Sequence, residues 1–301
     1  MIKRLLLGIV VVAVIALTVV NLTVAPLPPM PAATGDYFAV GVLTDLRTVG
    51  IYYFGFQTVV ALSMPIYNGI ESVMPTLLVK LNDDPPRQIA ALVRAIRTIT
   101  IAALPVAVSF ALAAPLVIHL LWHGKWDIAA RATQILAACV PAWLIIHSAR
   151  ALLEARGLWR LRFALLAVNG VGGITSAAVG TLFGSVEGIA ASVAVFYASF
   201  SLCLLLALGR LGLTIQDAAA ITVKPLALSG TALLSSLALA PLLLAGRHDG
   251  VLDVIHLVVF VSLAGVGNLL LFRTEWSELL RGFAARARGT AESRTQKAGV
   301  A

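Results

Sequence analysis

Eight apolar stretches, each long enough to approach or cross a bilayer, divide this chain near Leu5–Val24, Ile51–Leu78, Thr98–Leu121, Ala132–Ile146, Phe163–Leu182, Ile189–Leu208, Leu226–Leu244 and Val254–Phe272. The cations lie in alternate gaps. With both termini in the cytoplasm, Lys3, Arg4, Lys80, Arg87, Arg94, Arg97, Arg150, Arg156, Arg160, Arg162, Arg210, Lys224 and the basic tail fall inside. Only Arg47, Lys125, Arg131 and Arg247 remain on the other face. Excess Lys and Arg on the cytoplasmic side is what orients membrane helices, so the pattern predicts about eight spans with an N-in, C-in topology.

Lipid offers the backbone no hydrogen bonds, so each span must be a helix or part of a closed barrel. Continuous apolar runs lack the alternation of a barrel strand. The expected fold is therefore an all-α, polytopic transmembrane bundle. Charged residues make up 12% of the chain and apolar ones 60%, about half the charge of an ordinary soluble domain. The net charge of +8 is accounted for by cations flanking spans and facing anionic lipid, which argues against nucleic acid as a partner. Cys139 and Cys203 both sit inside apolar stretches, where a thiol behaves as a small hydrophobe. Neither a disulfide framework nor a metal site follows.

Three regions are expected. Residues 1–35 form an uncleaved membrane anchor followed by the stiff connector Ala25-Pro26-Leu27-Pro28-Pro29-Met30-Pro31, which no helix can include. Residues 36–274 form the bundle, opening with a stub, Tyr37–Leu43, too short to cross. Residues 275–301 carry an amphipathic segment (Trp276, Leu279, Leu280, Phe283) and a basic tail. Pro65, Pro75, Pro105, Pro115, Pro141, Pro225 and Pro241 are expected to kink the spans that contain them. Ile89, Leu92, Val93 and Ile96 oppose Arg87, Arg94 and Arg97, which predicts an amphipathic surface segment leading into the third span. Asn169-Gly170-Val171-Gly172-Gly173, the Gly180/Gly184/Gly188 series and Ala190/Ala194/Ala198 read as small-residue seams for close helix packing.

No HExxH, Walker A, GxSxG or paired-cysteine motif is present, so no catalytic or metal-binding residue is assigned and no cofactor is called for. One polar stripe stands out. At 100° per residue, Tyr53, Gln57, Met64, Asn68 and Glu71 fall within about 60° of one another on a helix. A carboxylate at membrane depth is costly unless it faces a cavity or a partner, which makes Tyr53, Gln57, Asn68 and Glu71 candidate cavity residues. Glu71 as an ordinary interfacial charge is the plainer alternative. On the fourth span His147, Arg150 and Glu154 share a face; an Arg150–Glu154 ion pair at i, i+4 is one reading, and a gate latch is the other.

The order of segments resembles a known family. It is carried by Asp36-Tyr37, Val49-Gly50-Ile51-Tyr52-Tyr53, Pro75, Asn82-Asp83-Asp84-Pro85, Ala114-Pro115-Leu116-Val117-Ile118, Trp122-His123-Gly124-Lys125-Trp126, Ile135-Leu136-Ala137 and Ala151-Leu152-Leu153-Glu154-Ala155-Arg156-Gly157. These resemble the second half of a Wzx-type polysaccharide flippase of the multidrug/oligosaccharidyl-lipid/polysaccharide exporter superfamily, over roughly Asp36–Thr214. The resemblance implies a transporter, not an enzyme. It would move a lipid-linked oligosaccharide across a bacterial inner membrane by alternating access between two helical lobes. It places the second span along the cavity, and a chain with one lobe is then either a half transporter that needs a partner lobe or a second copy, or a truncated relative. Two other functions stay open on the residues: a non-transporting scaffold that holds glycosyltransferases or other polysaccharide-assembly enzymes, and a membrane transferase built on His119, His123 and Asp127.

Overall fold

The computed structural model describes residues 34–243, 249–273 and 277. The expected anchor and proline connector, and most of the amphipathic tail, lie outside them. Nine α-helices are described, with no strand among the described residues: α1 Thr34–Leu43, α2 Leu46–Val79, α3 Pro85–Trp122, α4 Ala130–Ala137, α5 Cys139–Ala155, α6 Trp159–Gly180, α7 Val186–Ala207, α8 Ile215–Leu243 and α9 Asp249–Leu271. Five of the described helices are long and apolar enough to cross a bilayer, or six with α4–α5 taken as one broken span. The apolar part of α9, Leu257–Asn268, is shorter. Seven of the eight apolar stretches read from the sequence thus coincide with helices, and the chain is an all-α polytopic membrane bundle.

Helix α5 sits at the centre, packed on α2, α3 and α7, with α4 beside it against the same three helices. Helices α6 and α7 pair, α1 lies on α6 and α2, and α8 with α9 packs on α3. Thirteen of the seventeen residues of α5 are buried, among them Leu144, Leu152 and Leu153. The four that are not, Trp143, His147, Arg150 and Glu154, recur at i, i+4, i+7 and i+11. They form a single stripe on an otherwise enclosed helix. In the other spans only about a third of the apolar window is buried, and large side chains such as Leu120, Val195, Leu206 and Leu234 are exposed. That outward apolar surface is what lipid contact requires, since lipid is as apolar as the side chains it meets.

Local chemistry sets the helix boundaries. Asp45 caps α2 by accepting the Thr48 N–H at 2.7 Å, and that bond holds its carboxyl below the usual carboxylate range. Asp84 caps α3 by accepting the Arg87 N–H, and Pro85 and Pro86 occupy the first helical positions, where a missing N–H costs nothing. The expected surface segment at Arg87–Arg97 is therefore no separate element. Its apolar face, with Ile89, Leu92 and Ile96 buried, continues straight into the span. At 38 residues, α3 is roughly 57 Å long, far more than the ~30 Å hydrocarbon core.

Pro65 and Pro75 lie within α2, Pro105 and Pro115 within α3, and each helix continues through them. A bend of 44° falls between α4 and α5 at Ala138. Pro141 follows by three residues and has no N–H to offer the Ala137 carbonyl, so the break lies where a proline is expected to kink this span. A proline inside a helix frees the carbonyl four residues before it; for Pro105 that is Ile101, and for Pro115 it is Ala111. The Asn268 amide on α9 donates to Ile101 O at 2.9 Å, and the Gln134 amide on α4 donates to Ala111 O at 3.0 Å. Both freed carbonyls of α3 are thus re-bonded by side chains from neighbouring helices, the condition under which membrane helices tolerate proline.

The Gly180/Gly184/Gly188 series is not a helix face. Gly184 ends the turn after α6 in the left-handed region (φ +67°), while a Cβ at Gly180 would lie 2.5 Å from Ile189 Cα. Glycine is needed at Gly180 because two backbones meet there. Gly180→Ala is expected to lower stability by roughly 1 kcal/mol, through forced separation of α6 and α7; thermal unfolding in detergent measures it, and an unchanged midpoint would contradict the assignment.

Candidate functional site

The polar face of α2 divides into two halves about 21 Å apart, the rise from Gln57 to Glu71. At the first half α1 covers it. The Gln57 amide donates to the Tyr37 hydroxyl at 3.4 Å, and the Tyr37 ring stands edge-on to Tyr52, Tyr53 and Phe56. Asp36, one residue earlier, is 5% exposed. It accepts the Tyr52 hydroxyl at 2.9 Å and the Tyr37 N–H at 2.9 Å. Two donors on one enclosed carboxyl group are the arrangement that makes its burial tolerable. Asp36 entered the sequence reading through the Asp36-Tyr37 motif of the family resemblance and was not singled out as a site residue. The pairing with Tyr52 depends on α1 folding back along α2.

At the second half the two stripes converge. Glu71 Oε1 lies 3.5 Å from His147 Nδ1 and 3.9 Å from Arg150 Nη2. Arg150 Nη1 lies 3.1 Å from the same His147 Nδ1, and the Tyr67 ring packs edge-on to the imidazole at 4.1 Å between centroids. Residues flagged separately on two spans, Glu71 on α2 and His147 with Arg150 on α5, therefore form one cluster. Tyr67 completes it. It precedes Glu71 by one helical turn, an i, i+4 spacing that the sequence displayed.

Glu154 does not join them. Its Oε1 accepts Arg162 Nε at 2.6 Å, while Arg150 turns toward α2. The i, i+4 pair of Arg150 with Glu154 is replaced by Glu154–Arg162 across the α5–α6 turn and by Arg150–Glu71 across helices. The likelihood of a helix-surface pair, worth only a few tenths of a kcal/mol, is easily overturned by partners that tertiary packing brings closer.

The chemistry of the cluster follows from its donors. A guanidinium only donates, so when Arg150 bonds His147 Nδ1 that nitrogen carries no proton and Glu71 faces a lone pair. With Nδ1 protonated, the imidazole donates to Glu71 and Arg150 is released. Arg150 Nε is buried without a hydrogen-bond partner among the described residues. The Glu71 side chain is 42% exposed, and Tyr53, Met64 and Asn68 are exposed on the same face. The seam is an open polar surface on a membrane bundle, and half-buried bases lie beside its exposed acid.

Elsewhere, His119 Nδ1 and Asp127 Oδ2 are 2.8 Å apart. His123 caps α3 in the left-handed region (φ 50°). Among the described residues no group of three His, Cys, Asp or Glu side chains could hold a metal ion.

Residues 9–131 match the family described as polysaccharide biosynthesis protein. The matched segment is less than half of the chain; it runs from the first apolar stretch through α3 and includes Tyr53, Gln57, Asn68 and Glu71, but ends before α5. No curated protein and no solved structure matches the chain.

Proposed function

We propose that this chain is one lobe of a bacterial inner-membrane transporter that moves a lipid-linked oligosaccharide for polysaccharide biosynthesis, with both termini in the cytoplasm. The observation that carries the reading is the convergence of the α2 seam with the α5 stripe, which sets the exposed Glu71 beside the half-buried His147 and Arg150. Ionisable groups on spans face a cavity or a partner, so this face belongs opposite a second lobe, supplied by another chain or a second copy. The similarity of residues 9–131 to polysaccharide biosynthesis proteins supports the substrate class.

In this reading the chain transports and does not catalyse. The anionic phosphate of the lipid-linked substrate takes the place of Glu71 beside Arg150 and His147. Glu71 then re-forms its pairing as the substrate leaves, so the carboxylate serves as the competing anion that permits release. Guanidinium–phosphate hydrogen bonds are among the stronger polar contacts, and without a competitor the substrate would leave slowly. Glu71→Gln and Asn68→Ala are each expected to reduce complementation of a flippase-deficient strain about fivefold, roughly 1 kcal/mol, at unchanged membrane abundance. Full complementation by both variants would remove the seam from transport. It would favour the scaffold reading, which a glycosyltransferase co-purifying with both variants would support.

A further inference from the structure

The end of the seam opposite Glu71 carries a different chemistry. Tyr53 and Glu71 share one azimuth on α2, and the 18 residues between them rise roughly 27 Å. That nearly equals the ~30 Å hydrocarbon core. In the orientation set by the charge bias, Glu71 then stands toward the cytoplasmic boundary and Tyr53 toward the outer one, so the seam is ionic at one end and neutral at the other.

The neutral end is built on a fixed frame. Asp36, enclosed between α1 and α2, accepts the Tyr52 hydroxyl and the Tyr37 N–H, each at 2.9 Å, which pins the start of α1 in place. Tyr37 in turn stands edge-on to the Tyr53 ring at 4.9 Å between centroids and accepts the Gln57 amide at 3.4 Å. Tyr53 is braced in this way and still 49% exposed. A side chain already held in position loses little freedom when a ligand settles on it.

Space and bonding capacity remain there. Gly50 lies within about 60° of Tyr53 on the helix, one turn earlier, and a Cβ at Gly50 would meet nothing within 4 Å among the described residues. The exposed ring is therefore uncrowded on that side. As acceptor of the Gln57 amide, the Tyr37 hydroxyl keeps its own proton to donate, while the Gln57 carbonyl oxygen and second N–H are without a hydrogen-bond partner among the described residues.

These groups select the ligand class. A pyranose ring has a C–H face that lies well against an aromatic ring and a rim of hydroxyls that both donate and accept, matching Tyr53 on the one hand and Tyr37 with Gln57 on the other. The bonding groups are uncharged, and the ionisable side chain bonded to Tyr37 is an acid, Asp36. Sugar hydroxyls are favoured over phosphate at such a place.

We propose that the outer end of the seam is a subsite for uncharged sugar rings, with Tyr53 against the face of a ring and Tyr37 and Gln57 bonding its hydroxyls. The proposal rests on the transport reading and adds a division of labour to it. The phosphate is held by ionic contacts near the side of entry, and the glycan by weaker neutral ones near the side of exit.

Photocrosslinking of the full chain, in cells that make the polysaccharide, tests this. The probe p-benzoylphenylalanine in place of Gly50 has room and leaves Tyr53 and Gln57 intact; in place of Met64 it samples the middle of the seam, and in place of Val195, exposed on α7, the lipid face. Mass spectrometry of the crosslinked peptides separates sugar-bearing adducts from phospholipid. Sugar is expected at positions 50 and 64, and phospholipid alone at 195. Tyr53→Ala should cut the sugar adduct at position 50 about fivefold, Gln57→Leu by a similar factor, and Tyr53→Phe should keep it. Phospholipid alone at position 50, or an undiminished sugar adduct in a folded Tyr53→Ala protein, would overturn the proposal. The first of these decides even if Tyr53→Ala does not fold. Sugar at position 64 with none at 50 would overturn the subsite and leave the transport reading standing, whereas sugar at neither would overturn both.

Discussion

Arg150→Gln is expected to reduce translocation of a lipid-linked oligosaccharide roughly 10- to 100-fold, equivalent to about 1.5–3 kcal/mol for a lost charge-assisted contact, with near-normal amounts of folded protein. The split between activity and stability follows from geometry. Arg150 stands 3.9 Å from Glu71, and Glu71 is 42% exposed, so the carboxylate left behind is solvated and its loss of a partner costs little. Glu154→Gln should do the reverse: it breaks the 2.6 Å contact with Arg162, away from the seam, and is expected to leave translocation within about twofold while lowering stability by up to ~1 kcal/mol. Vesicles reconstituted with the facing lobe that the proposed function calls for, together with thermal unfolding of each variant, separate the two outcomes. The kinetic signatures also differ. Arg150→Gln should raise the apparent KM, whereas Glu71→Gln should lower kcat and KM together, as expected when a group that weakens the bound state is removed. Normal transport by Arg150→Gln would exclude the guanidinium from substrate contact.

Asn268→Leu is expected to destabilise the bundle by about 2 kcal/mol, because it leaves the Ile101 carbonyl buried without a donor. The same change in a Pro105→Ala background should cost far less, since residue 105 then supplies the helical N–H that proline lacks. A double-mutant cycle isolates this coupling from any other contact of Asn268. The expected interaction energy is about 1–1.5 kcal/mol, within the range found for hydrogen bonds between membrane helices. Strict additivity of the two substitutions would show that the freed carbonyl and the amide act independently. Gln134 and Pro115 offer the matching cycle, with Ala111 O as the shared group.

The placement of the helices was legible in the sequence because span length and charge bias are properties of the chain alone. So were the two stripes, Tyr53–Glu71 on α2 and His147–Glu154 on α5, since each is a matter of helical spacing. What periodicity does not encode is which faces meet. Arg150 had a partner of the right charge four residues away, yet the packing of α2 on α5 gave it Glu71 and left Glu154 to Arg162. Asp36 was obscured for the same reason, because its donor Tyr52 is reached only when α1 lies back on α2. The prolines were visible, but their consequence turned on side chains elsewhere. Pro105 and Pro115 remain inside an unbroken α3 where Asn268 and Gln134 meet the freed carbonyls, while the 44° bend at Ala138 stands three residues ahead of Pro141, whose ring leaves the Ala137 carbonyl without its helical donor.

The two amides that mend α3 have different consequences for biosynthesis. Gln134 follows Ala111 by 23 residues and reaches the bilayer almost together with it, whereas Asn268 follows Ile101 by 167. During synthesis the first half of α3 must wait, with one carbonyl unmet by that amide, until the 167 residues that separate it from Asn268 have been made. Its final seating is thus a late event of membrane insertion, and a product ending before Asn268 would carry an exposed polar defect for quality-control proteases to find.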